Sequence, residues 1–255
     1  MSDLLKIDHI SYSYHNLEGE TPALYDVSFN VMDGEFLGIV GPSGCGKSTL
    51  LSLIAGLITP SSGSIYIGGK DIKLSNKNIG YMLQKDHLLE WRNTLRNITL
   101  GLEIQDKLTD NSYAKIDNLL ETYGLITFKT SYPSELSGGM RQRAALIRTL
   151  LLEPDILLLD EPFSSLDYQT RLEVSDDIWS IIRKEGKTAI LITHDITEAI
   201  SMADRVIVLS HRPGTVKKIF NINYSIDNKT PFKARSAPEF KSYFNDIWKE
   251  LNQDE

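Results

Sequence analysis

The segment Gly41–Thr49 gathers glycines, a lysine and hydroxyl side chains between two apolar runs, Phe36–Val40 and Leu50–Ala55. Glycines in such a turn allow successive backbone N–H groups to point inward around an anion, and the start of a following helix adds positive potential. Lys47 can reach the outer phosphates of a nucleotide, and the Ser48 hydroxyl can ligate Mg²⁺. The spacing predicts a phosphate-binding loop between a buried strand and a helix, and the alternative is a glycine turn with a surface lysine.

Two adjacent carboxylates, Asp160 and Glu161, follow a second apolar run, Ile156–Leu159. A continuous apolar run is typical of a strand that is buried on both faces of a parallel sheet. Carboxylates at the tip of such a strand are costly to bury unless a cation or hydrogen bonds compensate them. Asp160 is therefore predicted to ligate Mg²⁺, directly or through water, and Glu161 to act as a general base on water. The alternative is a pair of ordinary loop carboxylates.

Other polar side chains also stand at the ends of expected strands. Gln84 follows the run Asn78–Leu83 and could contact both Mg²⁺ and the attacking water, or it could be a polar strand terminus. His194 follows Thr188–Ile192 and could hydrogen-bond a γ-phosphate and orient the general base. Asp195, the next residue, is expected to cap a helix.

An aromatic residue and a glycine pair offer two more possible contacts to a nucleotide. Tyr14 ends an expected strand, where its ring could stack on a nucleobase or simply be half buried. Ser137 is a good N-cap for a helix, and the two glycines that follow allow close approach of an anion. The same three residues could also be only a cap. Cys45, inside the glycine-rich turn, is expected to be a small filler rather than a nucleophile.

Composition excludes several classes of function. The chain has 255 residues, of which 41% are hydrophobic and 24% charged, as in an ordinary globular protein. A formal charge of -7 argues against nucleic-acid binding, and one cysteine excludes an internal disulfide framework and indicates a reducing compartment. Neither a secretion signal nor an apolar run of about 18 residues is evident, so we expect a cytoplasmic protein whose membrane role comes through a partner.

The spacing of apolar residues divides the chain into a β-rich beginning, a helical middle and an α/β end. Residues 4–40 are expected to form strands, with a polar loop at His15–Pro22. The helical spacing of Lys85–Leu152 indicates an inserted helical subdomain. Its first part, His87–Arg92, could be core or a contact surface, because tryptophan and arginine are enriched at interface centres. One short helix is expected at Glu239–Leu251.

These motifs, in this order, resemble the ATP-binding subunit of ABC transporters over nearly the whole chain up to about residue 220. Gly41–Thr49 is similar to the Walker A loop, Ile156–Asp160 to Walker B, and Leu136–Gln142 to the signature of the family. Gln84 resembles the Q-loop glutamine, and Ser164–Asp167 resembles the D-loop. Met140 departs from the family, which more often has glutamine after L-S-G-G, and little damage is expected because Ser137 and backbone amides would bind the phosphate.

The resemblance implies an α/β fold: a RecA-like P-loop NTPase core, an N-terminal antiparallel β subdomain and an inserted α-helical subdomain. It implies an ABC ATPase domain at 1–220, with the helical insertion at about 86–152, and a C-terminal tail at 221–255 that holds a short helix. It also implies ATP and Mg²⁺ as ligands. The catalytic residues would be Glu161, His194 and Gln84. The Mg²⁺ ligands would be Ser48, Gln84 and Asp160. The residues that contact ATP would be Tyr14, Gly41, Pro42, Ser43, Gly44, Cys45, Gly46, Lys47, Ser48, Thr49, Ser137, Gly138, Gly139 and Asp167.

The same resemblance implies partners. Two copies would sandwich two nucleotides head to tail, the signature of one completing the Walker A site of the other, so a monomer would hydrolyse ATP poorly. Transmembrane permease subunits would dock on the surface from Gln84 to Leu102, at the cytoplasmic face of the membrane. An extracytoplasmic substrate-binding protein would take part indirectly, and no nucleic acid is expected.

Three segments narrow the resemblance to importers of nitrate, sulfonates and taurine, a group that includes importers of vitamin precursors. They are Gln84–Arg92, Leu166–Leu172 and Arg212–Gly214, although Glu90 stands where proline is common in the group. The alternatives are an exporter subunit and a non-transport ABC ATPase of translation or DNA repair. The latter usually carry two cassettes or a long coiled coil, and this chain has neither. A purely nucleotide-sensing role would predict loss of Glu161 or His194.

Overall fold

The computed structural model of the chain describes residues 3–16, 19–75 and 78–252. The strands are β1 (Asp3–Asn16), β2 (Gly19–Met32), β3 (Phe36–Val40), β4 (Ser62–Ile67), β5 (Lys70–Asp71), β6 (Ile79–Met82), β7 (Ile156–Asp160), β8 (Thr188–Ile192), β9 (Arg205–Leu209) and β10 (Val216–Asn221). The α-helices are α1 (Lys47–Ile54), α2 (Thr94–Ile104), α3 (Asp110–Thr122), α4 (Gly138–Leu150), α5 (Tyr168–Lys184), α6 (Ile196–Met202), α7 (Pro231–Ala234) and α8 (Phe240–Asn252). Within these described ranges, no helix is both long and apolar enough to cross a membrane.

The N-terminal part is an antiparallel sheet in the order β2-β1-β4-β5. The prediction of a loop at His15–Pro22 is wrong for most of these residues, because β1 and β2 continue pairing through His15↔Glu20 and Asn16↔Gly19. Residues 17 and 18 lie outside the described part. Backbone pairing satisfies the hydrogen bonds of the main chain in this hairpin even though the side chains of His15 and Glu20 are exposed, so a polar sequence can still be extended.

The central sheet has the order β10-β9-β3-β8-β7-β6, with parallel pairing from β9 to β6 and an antiparallel edge strand, β10. Every residue of β3 and β8 is buried, as expected for strands covered on both faces. Parallel pairing brings the carboxyl ends of β3, β7 and β8 to one edge of the sheet, where the polar side chains of the sequence motifs are located.

The helical middle is confirmed as α2, α3 and α4, whose apolar faces share a core with the central sheet. Ile98, Ile116 and Ala144 are fully buried in that core, at helical positions indicated by the sequence. The last helix, α8, adds Ile247 to the same core. An α/β core with an antiparallel β subdomain and inserted helices is thus the architecture that the sequence predicted.

Candidate nucleotide site

The phosphate loop connects β3 to α1 in the conformation that its glycines make possible. Gly44 and Gly46 have φ angles of 75° and 105°, which L-residues with side chains rarely adopt. A Cβ on Gly46 would also lie 2.8 Å from the carbonyl oxygen of Ala23. The Lys47 ammonium donates to the carbonyl oxygens of Gly41 and Pro42 at 2.8 Å each, so the lysine spans the loop from within.

Cys45 is buried beside this lysine and fills space rather than reacting. Burial is the main cause that raises the pKa of its thiol, against the opposing effect of Lys47. A Cβ on Gly41 would lie 2.8 Å from the Cys45 sulfur, which shows how tightly the loop packs around it. The thiol therefore stays protonated at neutral pH.

Oxygen ligands converge at the start of α1 and the end of β7. The Ser48 hydroxyl lies 3.4 Å from one Asp160 oxygen, and Tyr81 donates its hydroxyl to the other at 3.3 Å. Burial is the largest cause of a raised pKa at Asp160, and burial beside Asp160 raises the pKa of Tyr81 to about 12. Tyr81 therefore remains a donor. A hydroxyl and a carboxylate side by side fit Mg²⁺, which prefers hard oxygen ligands and keeps several waters.

The three residues predicted to be catalytic meet at one carboxylate oxygen. Glu161 Oε2 lies 3.2 Å from His194 Nδ1 and 3.3 Å from Gln84 Nε2. The Gln84 amide also donates to the Ser164 hydroxyl at 3.3 Å. Glu161 has a φ of 44°, an unusual conformation for a residue with a side chain and one that recurs at functional sites. Its backbone N–H donates to the carbonyl of Ile192 at 2.8 Å, which fixes the turn to the end of β8.

These groups border a cleft of about 650 Å³. Its walls are formed by Tyr14, Ala23, Ser43, Gly44, Gly46, Lys47, Ser48, Thr49, Glu161, His194 and Arg212. The Tyr14 hydroxyl lies 3.0 Å from the Thr49 hydroxyl, and its ring meets the Tyr12 ring edge-on at 5.0 Å between centroids. The phosphate loop therefore forms one part of the cleft wall, and the exposed ring of Tyr14 forms another, the aromatic end of the cleft.

The signature glycines and Asp167 do not line this cleft. Ser137 caps α4 by accepting a hydrogen bond from the Met140 amide at 3.3 Å, and Asp167 caps α5 in the same way at 3.0 Å from Thr170 N. A Cβ on Gly139 would lie 2.8 Å from a Val174 methyl group, so the glycine allows α4 to approach α5 closely. Within one chain, these residues serve as helix caps and packing positions.

A buried network behind His194 was not found from the sequence. Thr193 donates its hydroxyl to Glu198 at 2.6 Å, and Arg171 lies 3.8 Å from the same side chain and 3.6 Å from Asp195. Arg171 also donates to the Leu166 carbonyl at 3.1 Å, which links the turn before α5 to the turn that carries His194. Asp195 caps α6 at Thr197 N, as expected. The spacing of Asp195 and Glu198 indicated only the cap.

Tyr81 and Arg212 were also missed as neighbours of the site. Tyr81 reaches Asp160 because β6 pairs with β7 in the register Tyr81↔Leu158. Arg212 reaches the cleft because the turn after β9 pairs with β2 through Leu24 and Gly214. Neither pairing has a local sequence signal.

Comparisons with known proteins agree with this geometry. The family model described as "ABC transporter" matches residues 24–164. The chain is 48% identical to an uncharacterized ABC transporter ATP-binding protein, YtlC of Bacillus subtilis (strain 168), over 97% of this chain and 95% of the relative. It is 38% identical to the nitrate import ATP-binding protein NrtD of Synechocystis sp. (strain PCC 6803), over 95% of this chain and 93% of the relative.

A third relative and a solved structure are also similar to this chain. The aliphatic sulfonates import ATP-binding protein SsuB of Bacillus licheniformis is 40% identical, over 92% of this chain and 89% of the relative. The ATP-binding cassette MJ0796, solved as a dimer in a post-hydrolysis state bound to ADP and Pi, superposes with a TM-score of 0.73 at 29% identity, over 86% of this chain and 99% of that one. Sequence, fold and site geometry thus lead to one conclusion: the chain belongs to the ABC transporter family, as an ATP-binding subunit.

Proposed function

We propose that this chain is the ATP-hydrolysing subunit that energises an importer of a small solute, of the nitrate, sulfonate or taurine type or a vitamin precursor. The observation that carries the proposal is the meeting of Gln84 and His194 at the Glu161 carboxylate, at the edge of the cleft that contains the phosphate loop. Relatives named as import proteins favour an importer over an exporter or a non-transport ATPase.

The cleft would hold ATP with its phosphates in the loop Gly41–Thr49 and its base against Tyr14. Backbone N–H groups of the loop and the start of α1 would surround the phosphates. The Lys47 ammonium, which in this structure donates to two loop carbonyls, would transfer its donors to phosphate oxygens.

Ser48 and Asp160 would hold Mg²⁺, with Gln84 as a further oxygen ligand. The bound ion would neutralise charge on the phosphate oxygens. Tyr81 would orient Asp160 by donating to the carboxylate oxygen that does not face Ser48. The hydroxyl can do so throughout the physiological range, because its pKa is raised to about 12.

Glu161 would act as the general base. Its carboxylate would accept a proton from water as the water oxygen bonds to the γ-phosphorus and the bond to the bridging oxygen of ADP breaks. The products are ADP and inorganic phosphate. His194 Nδ1 would donate to Glu161 and hold its orientation. Nε2 is directed away from the base, and in the imidazolium form, in which both ring nitrogens are donors, it would also donate to a γ-phosphate oxygen.

Ser137, Gly138, Gly139 and Asp167 would act on the nucleotide of a second copy. Their separation from the cleft of their own chain supports this assignment. Solved cassettes of similar fold are dimers. In a head-to-tail dimer, ATP would close the two subunits together, and hydrolysis with product release would reopen them.

Permease subunits would dock near Trp91, whose surface is 76% exposed beside a groove of about 570 Å³ that includes Leu95 and Tyr113. Arg141 fixes the loop between β6 and α2, which carries Trp91, through ion pairs to Asp86 at 2.9 Å and Glu90 at 2.8 Å. The subunit would thus lie at the cytoplasmic face of the membrane, and the extracytoplasmic substrate-binding protein would act through the permease.

Steady-state ATP hydrolysis tests the proposal. Glu161→Gln should bind ATP normally and slow turnover by orders of magnitude, because the amide cannot accept the water proton. Glu121→Gln, an exposed position on α3, is the matched control and should turn over like the unaltered protein. Unchanged turnover in Glu161→Gln would remove this residue from its proposed role. The solute retained by a co-purified binding protein would identify the transported substrate.

A further inference from the structure

Arg212 belongs to a turn that is fixed against the nucleotide cleft. Gly214 N donates to the Ala23 carbonyl at 2.9 Å, and Tyr25 N donates to the Gly214 carbonyl at 3.0 Å. Gly214 also has no room for a side chain, because a Cβ would lie 2.2 Å from the Cys45 carbonyl oxygen. The turn after β9 is therefore held both by β2 and by the phosphate loop, and its backbone has little freedom to move.

The Arg212 side chain has a defined position with unused donors. Its Nε donates to the Pro22 carbonyl at 2.8 Å. Among contacts with the described residues, this is the one hydrogen bond of its guanidinium, and the side chain is exposed at the wall of the cleft. The two terminal nitrogens are thus available to a molecule that enters the cleft.

The register of the N-terminal hairpin shows at which end of the cleft Arg212 lies. Tyr14 pairs with Thr21, and Ser13 pairs with Pro22. Pro22, whose carbonyl anchors Arg212, is therefore the residue directly after Thr21, which lies opposite Tyr14. The guanidinium is consequently held near the aromatic end of the cleft.

We propose that Arg212 binds the nucleoside part of the nucleotide and packs its guanidinium plane against the base, in addition to Tyr14. The inference rests on the proposed function of the cleft as an ATP site and adds a residue to it. A guanidinium is planar and weakly hydrated, and it stacks on aromatic faces, whereas an ammonium is a compact point charge. Because every base has a π-face, this contact would not distinguish adenine from guanine.

Calorimetry of the full chain with ADP and with inorganic tripolyphosphate tests the inference. Arg212→Lys is the informative variant, because lysine keeps the positive charge and a donor for the Pro22 carbonyl but lacks the planar group. We expect a loss of ADP affinity of about five- to tenfold, with the same loss for GDP and with tripolyphosphate affinity unchanged. Arg212→Ala should lose at least as much for ADP. Lys241→Ala, an exposed cation on α8, should match the unaltered protein.

Three results would overturn the inference. The first is an unchanged ADP affinity in Arg212→Lys. The second is a fall in tripolyphosphate affinity as large as the fall in ADP affinity in that variant, and the third is a loss confined to one base. Failure of the proposed function is distinguishable, since an unaltered protein that binds neither ADP nor tripolyphosphate would refute the nucleotide site itself. A thermal midpoint of Arg212→Lys equal to that of Lys241→Ala shows that the fold is intact.

Discussion

Glu198 is a buried acid whose replacement by glutamine should stabilise the fold at neutral pH. The side chain is 3% exposed, at the start of α6, where it accepts the Thr193 hydroxyl hydrogen bond at 2.6 Å. Burial is the main cause that raises its pKa from 4.5 to about 6, and the nearby negative charge of Asp195 adds to it. Arg171 and His194 act in the opposite direction. Compared with the unfolded chain, the folded chain therefore favours the protonated form of Glu198.

The magnitude and sign follow from linkage between proton binding and folding. The folded chain holds this proton more tightly than the unfolded chain, so the stability that Glu198 contributes is fully present below pH 4.5 and is lost as pH rises through about 6. The difference between the two pKa values means that ionisation of Glu198 lowers the free energy of unfolding by about 2 kcal/mol above that range. Glutamine does not titrate and can still accept from Thr193, while Arg171 keeps Asp195 and the Leu166 carbonyl as partners.

Urea unfolding of Glu198→Gln and the unaltered protein at pH 5 and pH 8 measures this effect. The advantage of the variant in free energy of unfolding should grow by about 1 kcal/mol between the two pH values. Glu121→Gln, on the exposed face of α3, serves as the control and should show no such growth. An advantage of Glu198→Gln that stays constant with pH, or that shrinks, would refute the reasoning.

Three further predictions concern binding and packing. Lys47→Ala should weaken ATP binding by calorimetry, because a charge that can reach the phosphates is lost, and equal affinity would contradict the assignment of the phosphate loop. Trp91→Ala should abolish binding of the permease in a pull-down while far-UV circular dichroism stays unchanged. Normal transport by this variant would contradict a role of Trp91 in permease binding. Gly139→Ala should lower the free energy of unfolding by about 1–3 kcal/mol, because the new methyl group would lie 2.8 Å from Val174. The double variant with Val174→Ala should lose less free energy of unfolding than the sum of the two single variants. Additive losses would argue against this contact.

The parts of the fold that the sequence predicted well are those in which local pattern and tertiary role agree. Phe36–Val40, Ile156–Leu159 and Ala189–Ile192 are continuous runs without polar side chains, and all three are buried in the parallel sheet. The residues that follow them are brought together because parallel strands end at a common edge. The placement of Glu161 beside His194 is a direct consequence of this topology.

The parts that the sequence did not predict depend on pairing between distant segments. The hairpin through His15 and Glu20 is polar, and its extended form comes from backbone pairing rather than from an apolar face. Strand β10 was missed because it is an edge strand with several exposed side chains. Tyr81 and Arg212 reach the site only through the register of β6 on β7 and the bridge between Leu24 and Gly214.

We propose that the cleft is half of a site that a second copy completes. Sedimentation of Glu161→Gln with Mg²⁺ and ATP tests it most directly, since blocked hydrolysis should trap the closed state. We expect a dimer with ATP and a monomer with ADP or without nucleotide. A Glu161→Gln protein that binds ATP and remains a monomer at every concentration tested would contradict the claim.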